Sequence, residues 1–127
     1  MASSKKYAFS VTVKTEYLSD QSSPEQQQYA FAYTITITNV GLTAAQLISR
    51  HWIITNAKGD IKEVKGLGVV GAQPLLEPQQ QFEYTSGCVL STPAGSMHGS
   101  YFCVAADGER FEVDIPEFIL SVPQVLH

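Results

Sequence analysis

The segment from Tyr29 to Asn39, YAFAYTITITN, alternates large apolar residues with small or polar ones over its whole length. A two-residue repeat places alternate side chains on opposite faces of a β-strand. A helix would bring Tyr29, Ala32, Tyr33 and Thr36 onto one stripe, and that stripe is not apolar. The segment is therefore predicted to be a strand with one face in a core and the other on the surface.

The same alternation recurs along the chain, and no segment has a convincing helical repeat. Loops are predicted at 19–27 and at the glycine- and proline-rich 66–78, and the stretch 43–46 is too short for a helix. Asp107-Gly108 predicts a tight hairpin turn. The predicted strands cover 7–17, 29–39, 47–56, 61–65, 82–90 with a bend at Gly87, 97–106, and 111–115, where Pro116 ends the last one.

Arg50 is an exception within this pattern. In the third segment Ile48, Trp52 and Ile54 share one face, and Arg50 interrupts it, while Leu47 falls on the other face. About seven one-sided strands with hairpin connections predict an all-β fold, an antiparallel β-sandwich of two packed sheets. A closed barrel is the alternative.

Length and composition fit one globular domain. The chain has 127 residues, of which 44% are hydrophobic and 16% charged, so it can build a core. We expect one domain over 1–127, with an ordered core of about 6–120 and a C-terminal tail at 121–127 that includes a mobile His127.

Charge and hydropathy indicate which classes of partner and which cellular compartment to expect. Eight basic and twelve acidic residues give a net charge of −4, which argues against a nucleic-acid binder. No signal peptide and no membrane-spanning apolar run is recognisable, so a cytoplasmic protein without membrane insertion is expected. Cys88 and Cys103 are too few for a disulfide framework and are predicted to be reduced.

The sequence GLGVVG, residues 66–71, matches the G-x-G-x-x-G pattern of dinucleotide-binding folds. That motif needs a following helix, and Pro74 and Pro78 prevent one here. A glycine-bent loop is the simpler interpretation. The weaker functional hypothesis is a phosphate-binding nest of backbone N–H groups at Gly66, Gly68 and Gly71, assisted by Lys65 and by Lys62.

Other reactive side chains form no recognisable catalytic or metal-binding pattern. His51, His98 and His127 lack metal-ligand spacing with one another or with cysteine. Ser96 and His98 alternate on one predicted strand, but GSMHG is not a nucleophile elbow. We therefore predict no catalytic residues, no metal ligands and no cofactor.

Several segments together resemble the ApaG family, also called CorD. The resemblance covers nearly the whole chain and is carried by GVVG at 68–71, FEYTSG at 82–87, the TP, G, M and GSY positions of 92–101, and IP with F and L near 115–120. It implies a fibronectin type III or immunoglobulin-like β-sandwich. It also implies a link to cobalt resistance and magnesium efflux. Related domains in F-box proteins and in a polymerase-delta-interacting protein imply a protein-binding module. The glycine motif of the family implies a pyrophosphate site at Gly66, Gly68 and Gly71.

Three positions depart from the pattern of that family. His51 stands where Tyr is usual, Gln79 where a turn glycine is usual, and Cys103 where Met is common. The functional prediction is a non-enzymatic binding module associated with Co²⁺ and Mg²⁺ homeostasis, acting through a protein partner and a phosphate-bearing ligand. The alternatives are an enzyme acting on a nucleotide or other pyrophosphate compound, and direct metal binding. Self-association through sheet edges is a further expectation.

Overall fold

The computed structural model describes residues 5–123, and these form two antiparallel sheets packed face to face. One sheet has the order β1-β2-β6, and the other has the order β4-β3-β7-β8, with the short β5 pairing with β3. The predicted all-β sandwich is confirmed. The strands are β1 Phe9–Tyr17, β2 Tyr29–Asn39, β3 Ala45–Asn56, β4 Ile61–Leu67, β5 Leu75–Leu76, β6 Gln81–Leu90, β7 Ala94–Ala105 and β8 Arg110–Ser121.

Helical structure within residues 5–123 is limited to two short 3₁₀ turns, Ser19–Gln21 and Pro24–Gln26, in the first predicted loop. No helix in this range is long and apolar enough to cross a membrane. The expectations placed on His127 and on the end of the C-terminal tail lie outside the described residues.

The core lies between the sheets and is built by the alternating faces. In β2 the side chains of Phe31, Tyr33, Ile35 and Ile37 are all buried. They meet Trp52 of β3, whose ring lies 5.6 Å from that of Tyr33. Burial of each large apolar side chain stabilises the fold by roughly 1.5–3 kcal/mol, so the strict alternation of β2 fixes which face turns inward.

Pro116 does not end the last strand, contrary to the prediction. β8 runs on to Ser121, and its pairing with β7 shifts between Met97 and Gly99, where one β7 residue faces two on β8. A proline has no N–H to donate, so it is tolerated at a bulge of an edge strand. The predicted bend at Gly87 is also absent, because β6 is continuous and Gly87 pairs with Ala32.

The two sides of the sandwich differ. On one side β1 packs against β8, where the ring of Phe111 lies 5.6 Å from Tyr7 and 5.8 Å from Phe9. On the other side β6 and β4 are the edge strands of their sheets. Clefts open between them, and one is lined by both Lys62 and Cys88. This open side positions the candidate site.

Candidate functional site

A β-bulge in β3 puts Leu47 on the same inward side of the strand as Arg50 and Trp52. The register with β7 shifts between Leu47 and Ser49, so one extra residue is inserted in β3. Leu47 and Trp52 are both buried although their odd spacing of five positions would put them on opposite faces of a regular strand, which corrects the face assignment predicted for Leu47. Arg50, two residues before Trp52 and beyond the bulge, lies on the same side as Trp52, near the open edge.

The guanidinium of Arg50 is fixed over Gly66. Its Nη1 donates hydrogen bonds to the carbonyl oxygens of Leu67 and Gly68, each at 3.0 Å. A Cβ at Gly66 would lie 2.8 Å from that Nη1, so a glycine here leaves room for the guanidinium. Both N–H groups of Nη1 are engaged, which leaves Nε and Nη2, the pair that can bind two oxygens of one phosphate.

The rest of the glycine motif is a tight hairpin. Val69 and Ala72 exchange backbone hydrogen bonds of 2.8 and 2.9 Å, with Val70 at φ 48° and Gly71 at φ 78° between them. Gly68 has φ 66° and donates its N–H to the carbonyl of Ile48. The glycine-bent loop is therefore what forms, and the N–H groups of Gly68, Val69 and Ala72 already have backbone acceptors.

Two neighbouring cavities meet at Arg50, and we call them together the Arg50 cleft. One of about 390 Å³ lies towards Lys62 and Cys88, and the other, of about 300 Å³, lies towards Val70 and Gly71. The cavities share four lining residues, which are Tyr33, Arg50, Trp52 and Ser86. The cleft thus combines a guanidinium, hydroxyl groups and aromatic walls.

The tyrosine and cysteine side chains at this side of the molecule are neutral at pH 7. Burial raises the pKa of the Tyr33 phenol and of the Cys88 thiol. Burial likewise raises the pKa of Tyr84 and of Tyr101, whose hydroxyl groups are hydrogen-bonded to each other. The charge at the cleft is therefore positive and comes from Arg50 and Lys62.

Of the four site residues predicted from sequence, Gly66 lies under the Arg50 guanidinium, Gly68 accepts a hydrogen bond from it, and Gly71 lines one cavity of the cleft. Lys65 is on the opposite face of β4, where it borders a third cavity of about 430 Å³ that Arg50 and Gly66 also line. Its Nζ lies 3.8 Å from Glu63. The residue that sequence reasoning missed is Arg50, and the signal was the interruption of an apolar strand face by one arginine.

The histidine and cysteine candidates remain separate from this cleft or lack reactive partners. His51 Nε2 lies 3.1 Å from Glu63 without hydrogen-bond geometry, and His51 and Lys65 lower the pKa of that carboxyl group. Both cysteines are free thiols. Within 5–123, no three side chains of His, Cys, Asp or Glu come together as a metal-binding group.

Two packed antiparallel sheets, with clefts at an open sandwich edge, place the molecule in the class of immunoglobulin-like β-sandwich domains. The model of the ApaG domain family matches residues 19–105. The chain belongs to that family.

Individual relatives agree over the full length. Protein ApaG of Nitrosomonas eutropha is 63% identical over 127 residues, covering 100% of both chains. Protein ApaG of Ralstonia nicotianae is 59% identical over 122 residues, 96% of this chain and 98% of that one. The crystal structure of an ApaA protein from Bordetella pertussis superposes with a TM-score of 0.93 at 55% identity, covering 97% of this chain and 100% of the other.

Proposed function

We propose that this protein is a non-enzymatic binding module that holds a phosphate-bearing ligand in the Arg50 cleft. The observation that carries the proposal is the fixed guanidinium of Arg50. Its Nη1 is anchored by two backbone carbonyls, and no carboxylate of residues 5–123 forms an ion pair with it. An arginine held without a counter-ion beside a cavity is suited to a bidentate anion such as phosphate.

The surroundings favour a ligand of more than one phosphate. Arg50 and Lys62 border the same cavity from neighbouring strands, and Gly71 and Val70 border the adjoining one. Pyrophosphate could therefore contact the guanidinium with one phosphoryl group and Lys62 or the hairpin with the other. In this arrangement Gly66 and Gly68 act by shaping the site, and Lys65 adds a positive charge at the cavity on the outer face of β4.

The association with Co²⁺ and Mg²⁺ homeostasis is proposed to be indirect. The domain would act in the cytoplasm through a protein partner that recognises it with or without its phosphate ligand. Titration of the ligand-free protein with Co²⁺ and with Mg²⁺ by calorimetry tests this part. Binding of either ion at micromolar concentration would contradict the indirect role.

The phosphate proposal is tested by titrating inorganic pyrophosphate into the wild type and two variants. Arg50→Lys keeps the charge but loses the two-pronged contact, so at least a tenfold weaker affinity is expected. Lys14→Ala is the matched control, because Lys14 lies on β1 at a cavity that Arg50 does not line, and less than a twofold change is expected. Circular dichroism verifies that both variants fold.

Two results would contradict the proposal. Equal affinity of wild type and Arg50→Lys, or no binding by the wild type, would remove the Arg50 cleft as the site. Release of orthophosphate during the titration would instead favour the alternative, an enzyme acting on a pyrophosphate compound.

A further inference from the structure

Within residues 5–123, one side of the β4 backbone is left unpaired. Gly68 N–H donates to the carbonyl of Ile48, and Asn56 N–H donates to the carbonyl of Asp60. Hydrogen-bonded pairs recur every second residue in an antiparallel ladder, so the even-numbered residues of β4 are those that bond to β3. The N–H and C=O groups of the four odd-numbered residues, Ile61, Glu63, Lys65 and Leu67, therefore point away from the sheet.

The side chains of these four residues share the outer face of the sheet and are solvent-exposed. Ile61 is 69% exposed and Leu67 is 75% exposed. The two charged residues lie between them, with the Glu63 side chain 54% and the Lys65 side chain 68% exposed. The edge thus has an apolar residue at each end and opposite charges in the middle.

We propose that β4 pairs with β4 of a second copy of this chain, antiparallel about a two-fold axis at Val64. In this register Ile61 faces Leu67 of the second copy, and Glu63 faces Lys65 of the second copy. Both apolar residues gain an apolar neighbour and both charges gain an opposite one. The two copies use the same surface, as a two-fold interface requires.

The backbone supports the same register. Pairing about Val64 matches odd residues with odd residues, which are the ones with free N–H and C=O groups, and gives about eight hydrogen bonds between the copies. The carbonyl of Leu67 is shared, since it already accepts from Arg50. Its second lone pair remains free for Ile61 N–H of the second copy.

Other registers are disfavoured by charge and by geometry. With the two-fold axis at residue 63, Glu63 would face Glu63 of the second copy, and with the axis at residue 65, Lys65 would face Lys65. Like charges directly opposite each other are destabilising. A shift by a single residue matches free groups with groups already bonded to β3. The sequence of β4, IKEVKGL, therefore specifies one self-pairing.

The pairing has a consequence for the Arg50 cleft that rests on the proposed function. Arg50 and Gly66 are directly opposite each other on β3 and β4. In this register Lys62 of the second copy is directly opposite Gly66, on its other side. Because Gly66 has no side chain, nothing stands between Arg50 and Lys62 of the second copy, and the second copy adds a positive charge beside Arg50. The pairing of β4 itself does not depend on phosphate binding.

Sedimentation of the phosphate-free protein over roughly 10 µM to 1 mM tests the pairing, because an interface of this size is expected to be weak. Glu63→Lys and Lys65→Glu should each weaken the dimer at least tenfold by placing like charges opposite one another. An equimolar mixture of the two variants should form heterodimers at wild-type strength or better, since every pair is again opposite. Glu25→Lys, in an exposed loop, is the charge-matched control.

A disulfide reports the register in the Cys88→Ser background. Val64→Cys places two cysteines about 4.5 Å apart between Cα atoms, within disulfide range, and should give a reducible dimer. Lys62→Cys places them about 14 Å apart and should not. The proposal would be overturned by any of three results. These are a wild type that stays monomeric to about 1 mM, an equimolar mixture of the two charge variants that dimerises no more tightly than either variant alone, and equal disulfide yields for Lys62→Cys and Val64→Cys. The first of these results would leave β4 for an unlike partner.

Discussion

At the scale of single residues, Gln79 occupies a position suited to glycine. It has φ 75° in the turn Glu77–Gln80, where the Gln80 N–H donates to the Glu77 carbonyl at 2.9 Å. The left-handed conformation costs a non-glycine residue about 1–2 kcal/mol, whereas glycine adopts it without strain but loses more chain entropy on folding. Gln79→Gly is expected to raise the free energy of unfolding by about 0.5–1 kcal/mol.

Chemical denaturation measures this difference. Gln26→Gly is the matched control, because Gln26 lies in a 3₁₀ turn with negative φ and should lose about 0.5–1 kcal/mol. A destabilised Gln79→Gly would show that the glutamine side chain contributes more than the turn strain removes.

Asp107 is a second residue whose surroundings predict a measurable effect. The Tyr7 hydroxyl donates to its Oδ2 at 2.6 Å, Glu109 N–H donates to Oδ1 at 3.1 Å, and Lys6 Nζ lies 3.2 Å away. The Tyr7 hydrogen bond, foremost among these contacts, lowers the pKa of Asp107. This contribution to stability is present above the unfolded-state pKa, ~3.9, and is lost as pH falls through the lower folded-state value.

Tyr7→Phe tests that assignment because it removes the hydroxyl and keeps the ring stacked on Phe111. The pKa of Asp107 should rise towards its ordinary value in an NMR titration. The difference in stability between variant and wild type should be present at pH 7 and shrink below about pH 4. An unchanged Asp107 pKa would assign the shift to Lys6 and Glu109.

At the scale of elements, the two left-handed glycines of the hairpin after β4 differ in what surrounds them. A Cβ at Gly68 would lie 2.5 Å from the Ala72 carbonyl oxygen, whereas a Cβ at Gly71 meets nothing within 4 Å. Gly71→Ala should therefore cost only the backbone strain, about 1 kcal/mol, and Gly68→Ala roughly 2–4 kcal/mol because backbone must also move. Thermal unfolding of the two variants gives the ranking, and equal losses would contradict the close approach at Gly68.

The alternation of residue types predicted most strands because side-chain burial in a sandwich has a period of two. The bounds of β2 follow directly from it. The bulges did not, since an extra residue at Leu47–Ser49 changes which later side chains face inward without altering composition. In the sequence Arg50 is only a break in an apolar strand face. Its place over Gly66 depends on how β3 and β4 pair, and the residue pattern of one strand does not specify that register.

At the scale of the whole molecule, the sandwich is closed on one side and open on the other, and the two cysteines report this difference. Cys103 is fully buried between the sheets, and burial raises the pKa of its thiol to about 12. Cys88 is half-buried and borders the Arg50 cleft. Its pKa is also raised by burial, so its reactivity is slowed but a reagent can reach it through the cleft.

A disulfide reagent at pH 8 should therefore label the native protein first at Cys88, at least about a hundredfold faster than at Cys103. In Cys88→Ser the remaining thiol should react only at the rate of unfolding. Pyrophosphate in the Arg50 cleft should slow labelling of Cys88 and leave Cys103 unchanged, because only Cys88 shares a cavity with Arg50. Equal labelling rates for the two thiols in the native protein would contradict this difference, because the interior would then open as readily as the edge between β4 and β6.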